Sequence, residues 1–161
     1  MIEQELTYLA KHLPEELTTC PSAKMVDVYI ENGSTHPNLR IRKHGERYEI
    51  TRKSPVSGGD ASIQTETTIE LNDIEFASLA LATGRTIEKT RYRVPCGELT
   101  VEFDVFEGAL AGLVLIDVEF TDEATKEAFV APSFCLANVT QESFVAGVCS
   151  QEKRTKTSHQ H

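Results

Sequence analysis

Charged and apolar residues alternate with a period of two along segment after segment of this chain. Successive side chains of a strand point to opposite faces, so Glu3 and Glu5 share one face, as do Arg40 and Arg42, Lys89 and Arg91, Glu102 and Asp104, and Asp117 and Glu119. The positions between them are mostly apolar: Leu39 and Ile41, Tyr92 and Val94, Val101 and Phe103, Ile116 and Val118. The pattern predicts antiparallel strands with one greasy and one ionic face. That ionic face is either the solvated outside of a sheet or the lining of a sheet that curls on itself. Two details point to a lining. Each of these pairs carries charge of one sign, and arginine dominates the cationic pairs, a residue whose planar fork suits two-pronged recognition of phosphate or carboxylate oxygens. Cationic pairs on some strands and carboxylate pairs on others are what a metal-plus-phosphate site needs.

The same patterning predicts a strand over residues 2–9, a short helical turn between Pro14 and Pro21, and strands near 24–31, 38–44 and 46–53. His44-Gly45-Glu46 reads as the hairpin turn between the last two, and Pro55 to Gly59 as a loop. After a strand near 62–71, Asn72 and Glu75 form a capping signature for a helix through about Ala82, ending at Gly84. Ile74, Leu79 and Leu81 would be its apolar side. Strands follow near 86–95, 98–106 and 113–120. Thr121 is expected to cap a helix over 122–129, and Thr140 another over 141–149. No internal repeat is present.

A chain of 161 residues, 40% apolar and 25% charged, is long enough for one domain with a real core and too short for two ordinary ones. The expected division is a single domain over 1–150 and a disordered polar tail over 151–161. A net charge of −9 argues against general nucleic-acid binding, which requires cationic surface, and leaves room for a local cationic pocket. Cys20, Cys96, Cys135 and Cys149 lack the C-x-x-C spacing of a structural zinc site and read as reduced thiols. No run approaches the ~20 apolar residues of a membrane span, and no basic segment with an apolar run opens the chain. A soluble, cytoplasmic protein is expected.

Several short motifs occur in an order that resembles the CYTH family, also called triphosphate tunnel metalloenzymes. They are Glu3-x-Glu5, Leu39-Arg40-x-Arg42, Thr51-x-Lys53, Glu66, Lys89-x-Arg91-Tyr92, Asp104-Val105-Phe106-x-Gly108, Asp117-Val118-Glu119 and Val139-Thr140. The resemblance spans residues 1 to about 150, and its strength lies in the order of many short matches. It implies an α+β fold built on a closed antiparallel eight-stranded β-barrel, a tunnel with charged side chains inside and helices packed outside. It implies hydrolysis of a triphosphate compound with magnesium or manganese. Carried over by position, Arg40, Arg42, Lys53 and Arg91 look like phosphate ligands, and Glu3, Glu5, Glu66, Asp104, Asp117 and Glu119 like the carboxylate set for metal. Lys89 resembles a lysine that helps activate the attacking water, with Tyr29 as its partner. Arg93 and Glu102 have the parity of lining residues without a motif match, whereas Lys43, Arg47 and Arg52 are expected to face solvent.

The chain also departs from that pattern. Thr7 stands where the family's opening Glu-x-Glu-x-Lys has lysine, Thr68 where a second glutamate follows the one matched by Glu66, and Gln64 where an arginine is expected. Two readings therefore stand. One is a metal-dependent triphosphatase acting on inorganic triphosphate or a small organic triphosphate; the other is a triphosphate- or nucleotide-binding module with little turnover. Adenylate cyclase activity ranks below both, since nothing identifies an adenine pocket.

Overall fold

The structure, a computed structural model, describes residues 1–30, 33, 38–56, 58–81 and 85–142, with Arg85 described by its backbone alone. Among the described residues nine strands carry it: β1 (Ile2–Ala10), β2 (Ser22–Tyr29), β3 (Leu39–His44), β4 (Arg47–Pro55), β5 (Ile63–Leu71), β6 (Arg85–Cys96), β7 (Leu99–Phe106), β8 (Val114–Phe120) and β9 (Cys135–Asn138). A 3-10 turn covers Glu15–Thr19, and two helices, α1 (Asp73–Ala80) and α2 (Glu123–Ala128), lie outside the sheet. The sheet runs β5-β4-β3-β2-β6-β7-β8-β1, and β5 pairs again with β1. Eight antiparallel strands thus close into a barrel, with β9 added beside the far end of β1.

Register explains why closure collects charge. Residues directly opposite in an antiparallel ladder point to the same face, and the ladders place Glu5 opposite Glu119, Asp117 opposite Glu102, Asp104 opposite Arg91, Asp27 opposite Arg42, and Lys53 opposite Glu66. All of these turn inward. The alternate positions form an outer core in which Tyr8, Val94, Val101, Phe103, Ile116, Val118 and Phe120 are buried, covered by Leu17 of the 3-10 turn and by Phe129 and Phe134. Phe103 packs on Phe134 with ring centroids 5.0 Å apart, and Phe120 on Phe129 at 5.3 Å. Full burial of a ring, as at Phe103 and Phe120, contributes roughly 1.5–3 kcal/mol by leaving water. The greasy face is therefore the outside of the barrel, sheltered by short elements. The hairpin turn falls where expected, with Gly45 at φ 58°, a left-handed conformation that glycine adopts without penalty.

Some local expectations change. The box on α1 forms: Asn72 accepts from the Glu75 amide at 2.8 Å and Glu75 accepts from the Asn72 amide at 2.9 Å. Its apolar side is another matter, for Ile74 and Leu81 are exposed, while Phe76 packs on Tyr48 at 5.1 Å. Helical spacing groups Phe76 with Leu79 and Ala80, and that stripe faces the barrel. α2 is capped by Asp122, which accepts from the Thr125 amide at 2.7 Å, because its first turn starts one residue later than Thr121 would require. β9 was not expected; Cys-Leu-Ala-Asn carries no alternation. Thr140 bonds to Asn138 at 2.6 Å in a turn, and the helix expected from there falls, beyond Glu142, outside the described residues. The last residues of the first helix expectation, 82–84, and the tail over 151–161 lie outside them too.

Candidate active site

The barrel encloses a cavity of about 260 Å³. All twelve side chains singled out above line it: Glu3, Glu5, Tyr29, Arg40, Arg42, Lys53, Glu66, Lys89, Arg91, Asp104, Asp117 and Glu119. Glu102 joins them, whereas Arg93 is exposed and outside the lining, as are Arg47 and Arg52. Lys43 points away as well, its ammonium over the Tyr48 ring at 5.6 Å. Thr7 is also part of the wall, but Thr68 and Gln64 are not.

The inner part of the lumen is a closed ion-pair network. Arg42 grips Asp27 with two hydrogen bonds, 2.5 and 2.7 Å long. Lys89 donates to Asp104 at 2.6 Å and lies 3.9 Å from Asp27. Arg91 also takes both oxygens of Asp104, at 2.7 and 2.8 Å, while reaching Glu102 at 2.9 Å and Asp117 at 3.5 Å. Thr7 donates its hydroxyl to Asp117 at 2.8 Å. Asp27 and Asp104 are each 1% exposed. Burial alone would raise their pKa values, but the hydrogen bonds and charges of Arg42 and Lys89 on Asp27, and of Lys89 and Arg91 on Asp104, hold both well below the usual carboxylate range. Burial also lowers the Lys89 pKa, aided by Arg42 and Arg91 and opposed by Asp104 and Asp27. Hydrophobic Ile87, Phe106 and Leu115 border this network at one end of the cavity.

The other part is unbalanced. Lys53 sits among three carboxylates, 2.6 Å from Glu3, 3.5 Å from Glu66 and 3.9 Å from Glu5. Burial, and next the charge of Asp117, push Glu5 up to about 8. Burial and the charges of Glu3 and Glu102 raise Glu119 as well. Asp117, between the two regions, is raised by burial and by Asp104. On the cationic side, Arg40 Nε is buried and has no hydrogen-bond partner among the described residues. This half holds mutually repelling carboxylates beside an arginine with an unused donor.

Two charged lining residues escaped the sequence reading. Asp27 has the parity of Tyr29 and sits between Val26 and Val28, so the period-two rule alone identifies it; it lacks only a second carboxylate on its strand. Glu49 lies between Tyr48 and Ile50 in the same way and faces the lumen opposite Arg42.

A closed barrel with both signs of charge pointing inward is the architecture expected of the CYTH family, and the chain belongs to it: the CYTH domain matches residues 21–141. The chain is 36% identical over 146 residues to an inorganic triphosphatase of Nitrosomonas europaea, a match covering 88% of this chain and 91% of that protein. It is similar to a crystal structure of an inorganic triphosphatase with a TM-score of 0.66 and 28% identity, over 91% of this chain and 93% of that one. A putative adenylate cyclase from Bacillus halodurans shares the fold, with a TM-score of 0.57 at 18% identity over 99% of this chain and 91% of that one.

Proposed function

We propose that the protein hydrolyses inorganic triphosphate, or a small organic triphosphate, inside the barrel. The observation that carries this reading is the unbalanced half of the lumen, where an unpartnered Arg40 donor and Lys53 face carboxylates that repel one another. A polyphosphate accompanied by a divalent cation satisfies both defects at once. Relatedness to an inorganic triphosphatase supports the same substrate class.

Arg40, whose Nε is unused, and Lys53, shared among three carboxylates instead of being fixed by one, are the phosphate ligands in this reading. Arg42 and Arg91 are already fixed by carboxylates, and present preoriented positive charge to the phosphate chain without having to reorganise. Asp27 and Asp104, each with both oxygens occupied by cations, serve as anchors for Arg42, Lys89 and Arg91; the metal role implied for Asp104 passes to its neighbours. Lys89, held as an ammonium by Asp104, is the candidate to help activate the attacking water by orienting it and stabilising charge as the terminal phosphoanhydride bond breaks, with Tyr29 in the same lining. Phosphoryl transfer asks for positioning and charge stabilisation more than for covalent help.

No three acidic, histidine or cysteine side chains among the described residues form a ready-made metal cage. The donor chemistry nonetheless fits magnesium or manganese, which are commonly held by one or two carboxylates with substrate oxygens completing the shell. Glu3, Glu5, Glu66, Asp117 and Glu119 would hold the ion. Held there, such an ion would supply positive charge to offset that of the phosphate chain.

The domain is taken to extend over 1–150. No described helix is long and apolar enough to cross a membrane, and the free thiols of Cys20, Cys96 and Cys135 suit a reducing, cytoplasmic compartment. Phosphate release with magnesium or manganese, compared across tripolyphosphate, nucleoside triphosphates and pyrophosphate, tests the proposal. Release from triphosphates that a chelator stops is the expected result. Tight binding without release would favour the binding-module reading, to which Thr7 and Thr68, in place of lysine and glutamate, lend support.

A further inference from the structure

The barrel closes through a short seam. β1 and β5 share three register pairs, Ile2 with Thr65, Glu3 with Gln64 and Gln4 with Ile63, against eight between β4 and β5. Glu3 lies in the seam and Glu5 just beyond it on β1, with Glu66 beside it on β5, so its geometry sets the spacing of the carboxylates around Lys53. Beyond the last pair, the Glu5 amide donates to the Ser62 carbonyl at 2.9 Å. Ser62 is itself held from outside the lumen. Its hydroxyl accepts from the Lys126 ammonium at 2.9 Å and donates to Asp60 at 2.7 Å, and Asp60 accepts from Gln141 at 3.0 Å.

Lys126 comes from α2, on the outer side of the barrel, and is 6% exposed. Taking an ammonium out of water is costly unless it is paired and hydrogen-bonded. Glu123, half exposed at 3.0 Å, is its charge partner, and Ser62 accepts from a second of its three N–H groups. An apolar side chain would cover the barrel at lower cost, and would leave Ser62 without its outer support. We infer that Lys126 is a positioning residue: it clamps Ser62, and through the Ser62 carbonyl holds Glu5 and the β1–β5 seam in the arrangement that the lumen needs. This inference rests on the reading of the lumen as a triphosphate site, but the clamp has a signature of its own.

Full-length Lys126→Met is compared with the unsubstituted protein by amide hydrogen exchange, by calorimetry with tripolyphosphate and magnesium, and by kcat and KM for phosphate release. Loss of a hydrogen bond from a charged donor is expected to speed exchange of the Glu5 amide by roughly tenfold or more. Amides of the β6–β7 hairpin should keep their protection. Tripolyphosphate binding should weaken several-fold, and KM should rise more than kcat falls. Lys126→Arg, which keeps the donors, should restore most of the protection. A purely structural role would instead speed exchange throughout the barrel and would overturn the inference, as would unchanged Glu5 exchange and binding in Lys126→Met. Should that variant fail to fold, Ser62→Ala removes the same bond from the other side and is expected to give the same local pattern; protection unchanged there rejects the clamp. If the unsubstituted protein binds no triphosphate, the functional reading fails while the exchange experiment still decides the clamp.

Discussion

The two halves of the lumen use the same residue types to opposite ends. Around Asp27 and Asp104, every strong charge has a close partner of the other sign, and the partners are nearly excluded from solvent. Around Lys53, one ammonium serves three carboxylates, Glu5 is driven up to about 8, and Arg40 keeps a buried N–H unused. A satisfied network rigidifies a structure, whereas an unsatisfied one is held ready for something that is not protein. The first half is scaffold for the second.

The sharpest way to break this contrast is to remove an anchor. Asp104→Ala leaves Lys89 and Arg91 buried without their main counter-charge, and uncoupling one partner of such a pair typically costs about 3–5 kcal/mol. Urea unfolding should show a loss of that order, whereas Glu66→Gln, which leaves Lys53 with Glu3 at 2.6 Å and relieves repulsion among the carboxylates, should cost distinctly less. Equal losses at the two positions would erase the distinction. By the same argument Arg91→Ala, which strips three carboxylates of their shared cation, should damage the fold as well as the site.

Arg40 should behave in the reverse sense. With its Nε unpaired, Arg40→Ala breaks no hydrogen bond at that atom, so thermal unfolding should move less than in Asp104→Ala. Tripolyphosphate affinity in magnesium should fall by roughly tenfold to a hundredfold, the worth of one charge-assisted hydrogen bond. Calorimetry with a chelator should show still weaker binding, because the carboxylates then repel the bare polyanion. Affinity that is indifferent to both changes would move the phosphate site out of the lumen.

How much of this was legible in the chain depends on distance along it. Parity is local, and it placed Glu3, Arg40, Lys89 and Asp117 on one face without knowledge of the fold. The same rule includes Asp27, overlooked because it stands alone on its strand. The difference between Arg40 and Arg42 was out of reach, since it depends on which residue β2 presents across the ladder: Asp27 opposite Arg42, but Tyr29 opposite Arg40. The outer covering was hardest to read. Ile74 and Leu81 are apolar yet exposed, and β9 has no pattern to announce it.

Protonation offers a gentler probe of the same contrast. Glu5 holds its proton more tightly in the folded protein, its pKa moving from 4.5 to about 8, so its contribution to stability is fully present below about 4.5 and is lost as pH rises toward 8. Asp27 and Asp104 work the other way, because their depressed pKa values contribute stability above 3.8 that disappears as pH falls below it. The metal-free protein should therefore show a steep acid limb from the closed network and a gradual decline between pH 5 and 8 from the open one. Glu5→Gln should flatten the decline and leave the acid limb. A melting temperature that climbs from pH 5 to 8, in a buffer series at constant ionic strength, would mean that Glu5 is ionised and already compensated.

The smallest expected effect lies at the boundary between the halves, where Thr7 donates to Asp117 at 2.8 Å and Arg91 reaches the same carboxylate at 3.5 Å. Thr7 satisfies one oxygen of Asp117 but supplies no charge, and the CYTH pattern has lysine at this position. Thr7→Lys would bring an ammonium next to a carboxylate whose pKa is raised by burial and by Asp104, stabilising its ionised form. It would also add positive charge where the phosphate chain is to react. Turnover of tripolyphosphate should rise by roughly tenfold, about 1.4 kcal/mol of transition-state stabilisation. The site is tight, since Thr7 is buried and its amide donates to the Thr140 hydroxyl at 2.9 Å, so Thr7→Val serves as the control for lost side-chain hydrogen bonding at unchanged volume. If Thr7→Lys folds and slows a fast native reaction, the closed network already supplies the charge and the boundary belongs with the scaffold.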